Sequence, residues 1–190
     1  MIFIPGILIS AVTFPGVAVH ELAHQICCRI CRIPVYEVKY FQLKNPCGYV
    51  LHEATPNPWK NLLTGLGPFF VNTILGMIIT FPAYFCLWGG GKNMYGYGRG
   101  NEGMMAVLIV LYWLGLSILM HAFPSTGDAK SLVQSVMKNK EVNIFAKIVT
   151  APFIGLIYLG AIGSAFWLDL LYGIGMSMLL PMLAEKLMYL

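Results

Sequence analysis

One short motif inside an apolar segment constrains this chain more than any other feature. His20 and His24 lie four residues apart, with Glu21 beside the first of them, in a run that is otherwise largely apolar from Met1 onward. On a helix, residues four apart project from one face, at a spacing that suits two ligands of a single zinc ion. A charged residue at the centre of a membrane helix costs roughly 2.5–3.5 kcal/mol. The motif therefore predicts a metal site built into an apolar helix.

The composition indicates that much of the chain lies in lipid. Of its 190 residues, 58% are hydrophobic and 11% are charged, whereas a soluble domain carries about 25% charged residues. The net charge is only +4, and the sequence has no basic stripe with interleaved aromatic residues, which argues against nucleic-acid binding. The segment that begins at Met1 has neither a charged start nor a small-residue cleavage site. We therefore interpret it as a retained membrane helix and not as a signal peptide.

Hydropathy and turn residues predict an all-α polytopic membrane protein with about five transmembrane helices, four being the alternative. Three apolar segments are expected as single spans, at about 2–33, 59–88 and 104–123. The apolar stretch over 147–190 suits two spans of about 20 residues each, with a turn near Gly163 to Asp169. Pro15-Gly16 is expected to bend the first helix.

The stretch between the first two predicted helices has a different pattern. Residues 35–44 are rich in β-branched and aromatic residues and partly alternate in polarity, and 49–54 form a second candidate strand. Asn45-Pro46-Cys47-Gly48 supplies turn residues between them. Because open sheet edges cannot face hydrocarbon, we expect a small β-ribbon that lies at the membrane surface.

The five cysteines do not have the spacing of a disulfide framework, and their number is odd. Cys28 and Cys31 have the spacing of a redox or zinc pair, but no second pair follows. We interpret these thiols as reduced packing residues at a helix end, with reversible acylation as the alternative.

Basic residues alternate between the connections and so predict the topology. The first and third connections are rich in basic residues, namely Arg29, Arg32, Lys39, Lys44 and Lys60, then Lys130, Lys138, Lys140 and Lys147. The second connection has only Lys92 and Arg99, and the fourth has none. The positive-inside rule therefore predicts a multi-pass protein of the cell membrane with its amino terminus outside and its carboxyl terminus inside. His24 then lies near the cytoplasmic face, about 7.5 Å along the helix from Arg29.

A third zinc ligand is expected at the same depth. Catalytic zinc usually takes three protein ligands and leaves one position open. Asp128 is the predicted third ligand, because it follows a proline break at the cytoplasmic end of the third helix; helix capping is its alternative role. His121 is the rival ligand, or else a hydrogen-bond donor near the site. His52 is interpreted as a surface histidine.

Asn72 is the other polar residue of interest within a predicted span. It follows Gly65 and Gly67, whose small size allows another helix to approach closely. Its amide is therefore expected either to hydrogen-bond a neighbouring helix or to contact the backbone of a substrate.

Four stretches of sequence carry a resemblance to a known family. These stretches are His20 to His24, Cys47 to Val50, Gly67 to Asn72, and Pro124 to Asp128. Together they resemble the site-2 protease family of intramembrane zinc metalloproteases, over residues 10–130. Two departures occur. His121 stands where the family pattern typically has Asn, and Asp128 is followed by Ala129 where the family typically has Gly.

The resemblance implies three core helices that enclose one catalytic Zn²⁺ ion within the bilayer. The two histidines and the later aspartate would be the ligands, and Glu21 would be the general base. The ribbon would align an extended substrate by strand addition. On this basis we interpret 1–190 as a single metalloprotease domain, with a core over 1–130 and a connector and C-terminal helices over 131–190.

The predicted function is hydrolysis of a peptide bond in or near a transmembrane segment, as in regulated intramembrane proteolysis. The expected partners are a transmembrane protein substrate and the lipid bilayer, and the sequence leaves a membrane regulator open. One alternative is a membrane-embedded zinc hydrolase of a non-peptide, lipid-like substrate. Another is a non-enzymatic metal-binding transport or sensor protein, which would need several metal sites along a pathway.

Overall fold

The structure is a computed structural model that describes residues 6–87 and 102–188. Its seven helices within those ranges are α1 (Gly6–Val12), α2 (Phe14–Ile30), α3 (Pro58–Leu87), α4 (Glu102–Met120), α5 (Thr126–Leu132), α6 (Ile144–Gly163) and α7 (Leu168–Met188). A π-helical turn, Val133–Met137, follows α5, and a 3₁₀ turn, Ser164–Phe166, separates α6 from α7. The two strands are β1 (Val35–Lys39) and β2 (Tyr49–His52).

Four of the described helices, α3, α4, α6 and α7, are long and apolar enough to cross a membrane. The count reaches five if α1 and α2 are taken as one broken segment. A mostly helical fold with several long apolar helices and one small sheet is therefore confirmed. The predicted turn near Gly163 is also confirmed, since α6 ends there and Trp167 has a left-handed φ of 63° before α7 begins. Lys92 and Arg99 lie outside the described residues.

The bend predicted in the first helix is present but is sharper than expected, because the chain breaks at Thr13 and α1 and α2 meet at 88°. The break falls just before Pro15, which occupies the first turn of α2. Proline suits that position because the first turn of a helix needs no N–H donor. Side-chain bonds hold the junction: Thr13 Oγ1 donates to the carbonyl of Ile9, and Trp113 Nε1 donates to the carbonyl of Val12.

Helix α3 is the centre of the bundle and packs against α2, α4, α5 and α7. Close approach is possible because small residues lie at the crossings. Gly76 of α3 and Gly115 of α4 meet so closely that a Cβ on either would come within 2.9–3.0 Å of the other's carbonyl oxygen. Gly67 lies directly against the Sγ of Cys27 on α2. This is the small-residue packing of membrane helices, and it agrees with the interpretation of Cys27 as a packing thiol.

Gly16 allows α2 to approach α4 just before the histidine pair. A Cβ at this position would overlap the carbonyl oxygen of Ser117 and would lie 2.6 Å from the His121 ring. Gly16→Ala is therefore expected to destabilise the fold by about 1–3 kcal/mol, as overpacking does, and to lower the unfolding temperature in detergent. Gly155→Ala on α6 is the matched control, because a Cβ there meets no atom within 4 Å. Equal unfolding temperatures for the two variants would contradict this packing.

The β-ribbon lies between α2 and α3 in the chain, as predicted, and its strands are antiparallel with Val38 opposite Val50. Both strands are shorter than expected. Residues 40–48 leave the ladder and form a loop, which the bond from the Gln42 amide to the Cys47 carbonyl helps to close. The Tyr40 hydroxyl donates to Gln25 Oε1 at 2.7 Å and so ties the start of this loop to α2.

Candidate metal centre

The two histidines of the motif lie on one buried face of α2. His20 is 7% and His24 8% exposed, and their ring centroids are 4.9 Å apart. Asp128, in the first turn of α5, approaches them from the other side. Its Oδ2 lies 3.7 Å from His24 Nε2, and one ligand atom from each of the three residues lies within 4.8 Å of the others. The depth argument from the sequence placed Asp128 beside the pair, and the structure brings the three together.

The orientation of His20 is fixed by a backbone carbonyl. His20 Nδ1 donates to the carbonyl oxygen of His121 at 2.7 Å. Because a carbonyl can only accept, Nδ1 carries the proton and Nε2 keeps its lone pair. Asn72 Nδ2 donates to the same oxygen at 2.9 Å. A histidine whose second nitrogen is held in this way has the arrangement of a metal ligand.

Asp128 is a helix-capping residue and also lies beside the histidines, so capping, its alternative role, is compatible with zinc binding. Ser125 caps α5, and its hydroxyl and amide both donate to Asp128 Oδ2, at 2.6 and 3.2 Å, while the Asp128 amide donates back to Ser125 Oγ. Burial raises the pKa of Asp128, but the nearby His24 and the Ser125 hydrogen bond outweigh it, so the pKa lies below its ordinary value. The capping box thus holds an ionised carboxylate against the histidines.

Loss of the Ser125 hydroxyl should loosen the carboxylate without removing a ligand. Ser125→Ala is expected to weaken zinc binding about 10–100-fold, as loss of an outer hydrogen-bond partner does. Competition with a chelator of known affinity measures the effect. Ser135→Ala is a suitable control, because Ser135 lies in the π turn after α5 and its hydroxyl donates to the carbonyl of Leu132, away from the metal cluster. Unchanged affinity in Ser125→Ala would show that the cap does not orient the carboxylate.

The His121 side chain turns toward the α1–α2 junction. Its Nε2 lies 2.8 Å from Thr13 Oγ1. Because the Thr13 hydroxyl proton is already donated to Ile9, this oxygen accepts from His121 Nε2–H. His121 does not belong to the metal-ligating cluster found among residues 6–87 and 102–188. The geometry thus favours Asp128 over His121 as the third ligand, although this assignment stays a prediction. The contact of His121 with the site is made by its backbone carbonyl, which accepts from His20 Nδ1.

Asn72 is fully buried where α2, α3 and α4 meet. Besides the His121 carbonyl, its Nδ2 faces the carbonyl oxygens of Gly16 and Ile118 at 3.4 and 3.2 Å. The Asn72 amide nitrogen therefore hydrogen-bonds neighbouring helices, which is one of the two roles expected from the sequence. Asn72 also contacts the carbonyl that orients His20, so it supports the site from outside.

Glu21 and His20 line an open cavity of about 700 Å³. Glu21 is 9% exposed. The turn of the ribbon lies over it, since a Cβ on Gly48 would be 2.7 Å from Glu21 Cγ. Cys47, His121 and Phe123 line the same cavity. Glu21 thus faces space large enough for part of a substrate, next to the His20 ring.

A second, much smaller cavity of about 40 Å³ touches the other side of the cluster. Its lining is mostly polar and consists of His24, His52, Asn61, Thr64, Gly65, Asp128, Ser131 and Leu132. The interpretation of His52 as a surface histidine is therefore incomplete. The residue is half-buried, and it lines this cavity together with residues of α3 and α5.

The three side chains fit a zinc ion by their chemistry. Two imidazoles and one carboxylate are a common catalytic donor set, and they leave a coordination position free. Sequence reasoning did not find Thr13, and it named Gly48 as a turn residue without predicting its contact with Glu21. Both contacts join residues far apart in the chain. Ser125 could have been found, because Ser125-x-x-Asp128 is a capping-box pattern.

Comparisons with protein-family models, with curated proteins and with solved structures gave no match to this chain.

Proposed function

We propose that this protein is an intramembrane zinc metalloendopeptidase of the site-2 protease type, which cleaves a transmembrane protein substrate. One observation supports this most strongly. Buried His20, His24 and Asp128 converge within 4.8 Å, and Glu21 lines a cavity of about 700 Å³ beside His20. A general base beside a three-ligand metal site that opens on a cavity is the arrangement that peptide hydrolysis requires.

The residues divide the chemistry among them. His20, His24 and Asp128 would hold the ion, which when bound polarises a carbonyl and makes water easier to deprotonate. Glu21 takes a proton from the attacking water while the water oxygen adds to the peptide carbonyl carbon. It then gives that proton to the leaving amine as the C–N bond breaks. A helical carbonyl is shielded and hydrogen-bonded, so the substrate has to unwind locally before this step.

The same proposal sets the position of the chain in the bilayer. We take α1 and α2 as one broken span, which with α3, α4, α6 and α7 makes five. The positive-inside rule then places the amino terminus outside and the metal centre toward the cytoplasm. The ribbon would lie at that surface, where its turn over Glu21 brings an open strand edge close to the cavity for strand addition.

Two other functions compete with this one. A hydrolase of lipid-like amides would use the same residues and differs only in substrate. A transporter or sensor would need a series of metal sites, and the described residues contain one such cluster. The shared site makes substrate identity the decisive question for the first rival.

Reconstituted protein tests the proposal. The zinc-loaded chain in proteoliposomes is incubated with single-span peptides that carry a helix-destabilising pair near one end, and the products are identified by mass spectrometry. We expect one main cut within the span, lost on chelation and restored by zinc. Hydrolysis of lipid amides with intact peptides would support the first rival and contradict the proposal.

A further inference from the structure

Phe123 forms part of the cavity wall beside the reacting groups, yet neither the metal nor the proton transfers use it. It lines the cavity together with His20 and Glu21. It lies two residues after His121, whose carbonyl orients His20. A side chain next to the scissile bond of a bound peptide would share this cavity with Phe123.

The ring is supported from behind by aromatic rings of α7 and α3. The Tyr172 ring of α7 lies 4.8 Å from it between centroids, and the Phe69 ring of α3 lies 5.6 Å from it. Tyr172 is itself fixed by a 2.7 Å hydrogen bond between its hydroxyl and Thr73 Oγ1. The Phe123 ring therefore cannot move toward α3 or α7, because the Phe69 and Tyr172 rings already occupy that space.

Helix α6 closes the remaining side through a glycine. Gly160 is buried, and a Cβ there would overlap the Phe123 ring, reaching its Cγ at 2.6 Å. The glycine gives the ring room to lie back against α6. A methyl group at position 160 would push it toward the cavity.

We propose that Phe123 sets the size of the substrate side chain accepted beside the scissile bond, and that α6 and α7 fix this limit by holding its ring. The chemistry of the wall points to a small or medium apolar side chain, since Ile7 and Val17 also line the cavity. This inference rests on the proposed peptidase function. It also gives the last two helices, which carry none of the motifs, a direct part in substrate choice.

Two substitutions with opposite effects test the inference. Phe123→Ala enlarges the pocket, whereas Gly160→Ala narrows it by displacing the ring. Gly155→Ala, also on α6, is the matched control, because a Cβ at that position touches nothing within 4 Å. The substrates are single-span peptides that differ only in one residue next to the cut, which is Ala, Leu or Trp.

The readout is the ratio of kcat/KM for the Trp peptide to that for the Ala peptide. We expect Phe123→Ala to raise this ratio by about 10-fold or more, the range that a change in pocket volume produces. Gly160→Ala should lower it, and Gly155→Ala should leave it unchanged. Binding of the same peptides is also measured with each protein carrying Glu21→Gln in addition. Because that substitution is expected to stop cleavage, the Kd then reports the fit of the side chain independently of turnover.

The outcomes separate the two ideas. If the wild-type protein cleaves none of these peptides, the peptidase function is contradicted and the inference falls with it. If the wild-type protein cleaves them but Phe123→Ala leaves both the kcat/KM ratio and the binding order unchanged, only the role of Phe123 is wrong. Unfolding temperatures identify a misfolded Gly160→Ala protein, in which case Phe123→Ala decides alone.

Discussion

Glu21→Gln is expected to bind one zinc ion and to lose cleavage of a membrane peptide. Glutamine has nearly the shape of glutamate, so it should fit in the same space under Gly48. That space is tight, since a Cβ at Gly48 would lie 2.7 Å from Glu21 Cγ. It cannot accept the proton of the attacking water. General-base catalysis contributes about 10²–10⁴-fold, and we expect a loss of at least this size in kcat with KM little changed. Single-turnover cleavage in proteoliposomes, with zinc measured on the same sample, gives both values.

Gln25→Glu provides a matched control for this substitution. It changes the charge of the same helix by one unit in the opposite direction, but Gln25 contacts Tyr40 at the start of the 40–48 loop and does not belong to the metal cluster. We expect it to retain most of the activity. Full activity in Glu21→Gln would remove Glu21 as the base, whereas loss of zinc in that variant would show that Glu21 serves the metal site itself.

Asp128→Ala is expected to lose zinc, whereas His121→Ala should keep it. Asp128 supplies an oxygen 3.7 Å from His24 Nε2, so its removal leaves two ligands. The loss of affinity should exceed the roughly 10–100-fold expected for an outer partner. His121→Ala deletes only the ring bonded to Thr13 and leaves the carbonyl that holds His20. Metal content after dialysis against a weak chelator distinguishes the two variants.

Asp128→Asn separates ligation from helix capping. The amide oxygen can still accept from the Ser125 hydroxyl and amide, which donate to Asp128 Oδ2, so α5 should keep its cap. The charge that zinc favours is lost, and affinity should fall well below that of the wild-type protein. Zinc loss in His121→Ala, with normal zinc in both Asp128 variants, would make His121 the third ligand and overturn our assignment.

The local part of the site was predictable from sequence, because a helix fixes the spacing of side chains four residues apart. The shared face of His20 and His24 follows from that rule alone, and Glu21 lies next to His20 in the chain. Asp128 required only the additional argument that basic residues place two segment ends at the same depth. The ribbon and the turn after Gly163 were also local, since β-branched residues and turn residues mark them.

The parts that could not be predicted depend on contacts between distant residues. The Thr13–His121 hydrogen bond joins residues 108 positions apart, and no local pattern specifies it. The 88° break between α1 and α2 was expected only as a bend, because Pro15 is compatible with either. The support of Phe123 by Gly160 depends on how α6 packs against the core, which hydropathy does not encode.

The central claim is that His20, His24 and Asp128 form one zinc site. X-ray absorption at the zinc edge tests it most directly, on purified wild-type protein loaded with one equivalent of zinc. We expect only nitrogen and oxygen neighbours, at about 2.0–2.2 Å, with the scattering of two imidazoles. Sulfur neighbours at about 2.3 Å would place the metal on cysteines such as Cys28 and Cys31 and would contradict the site.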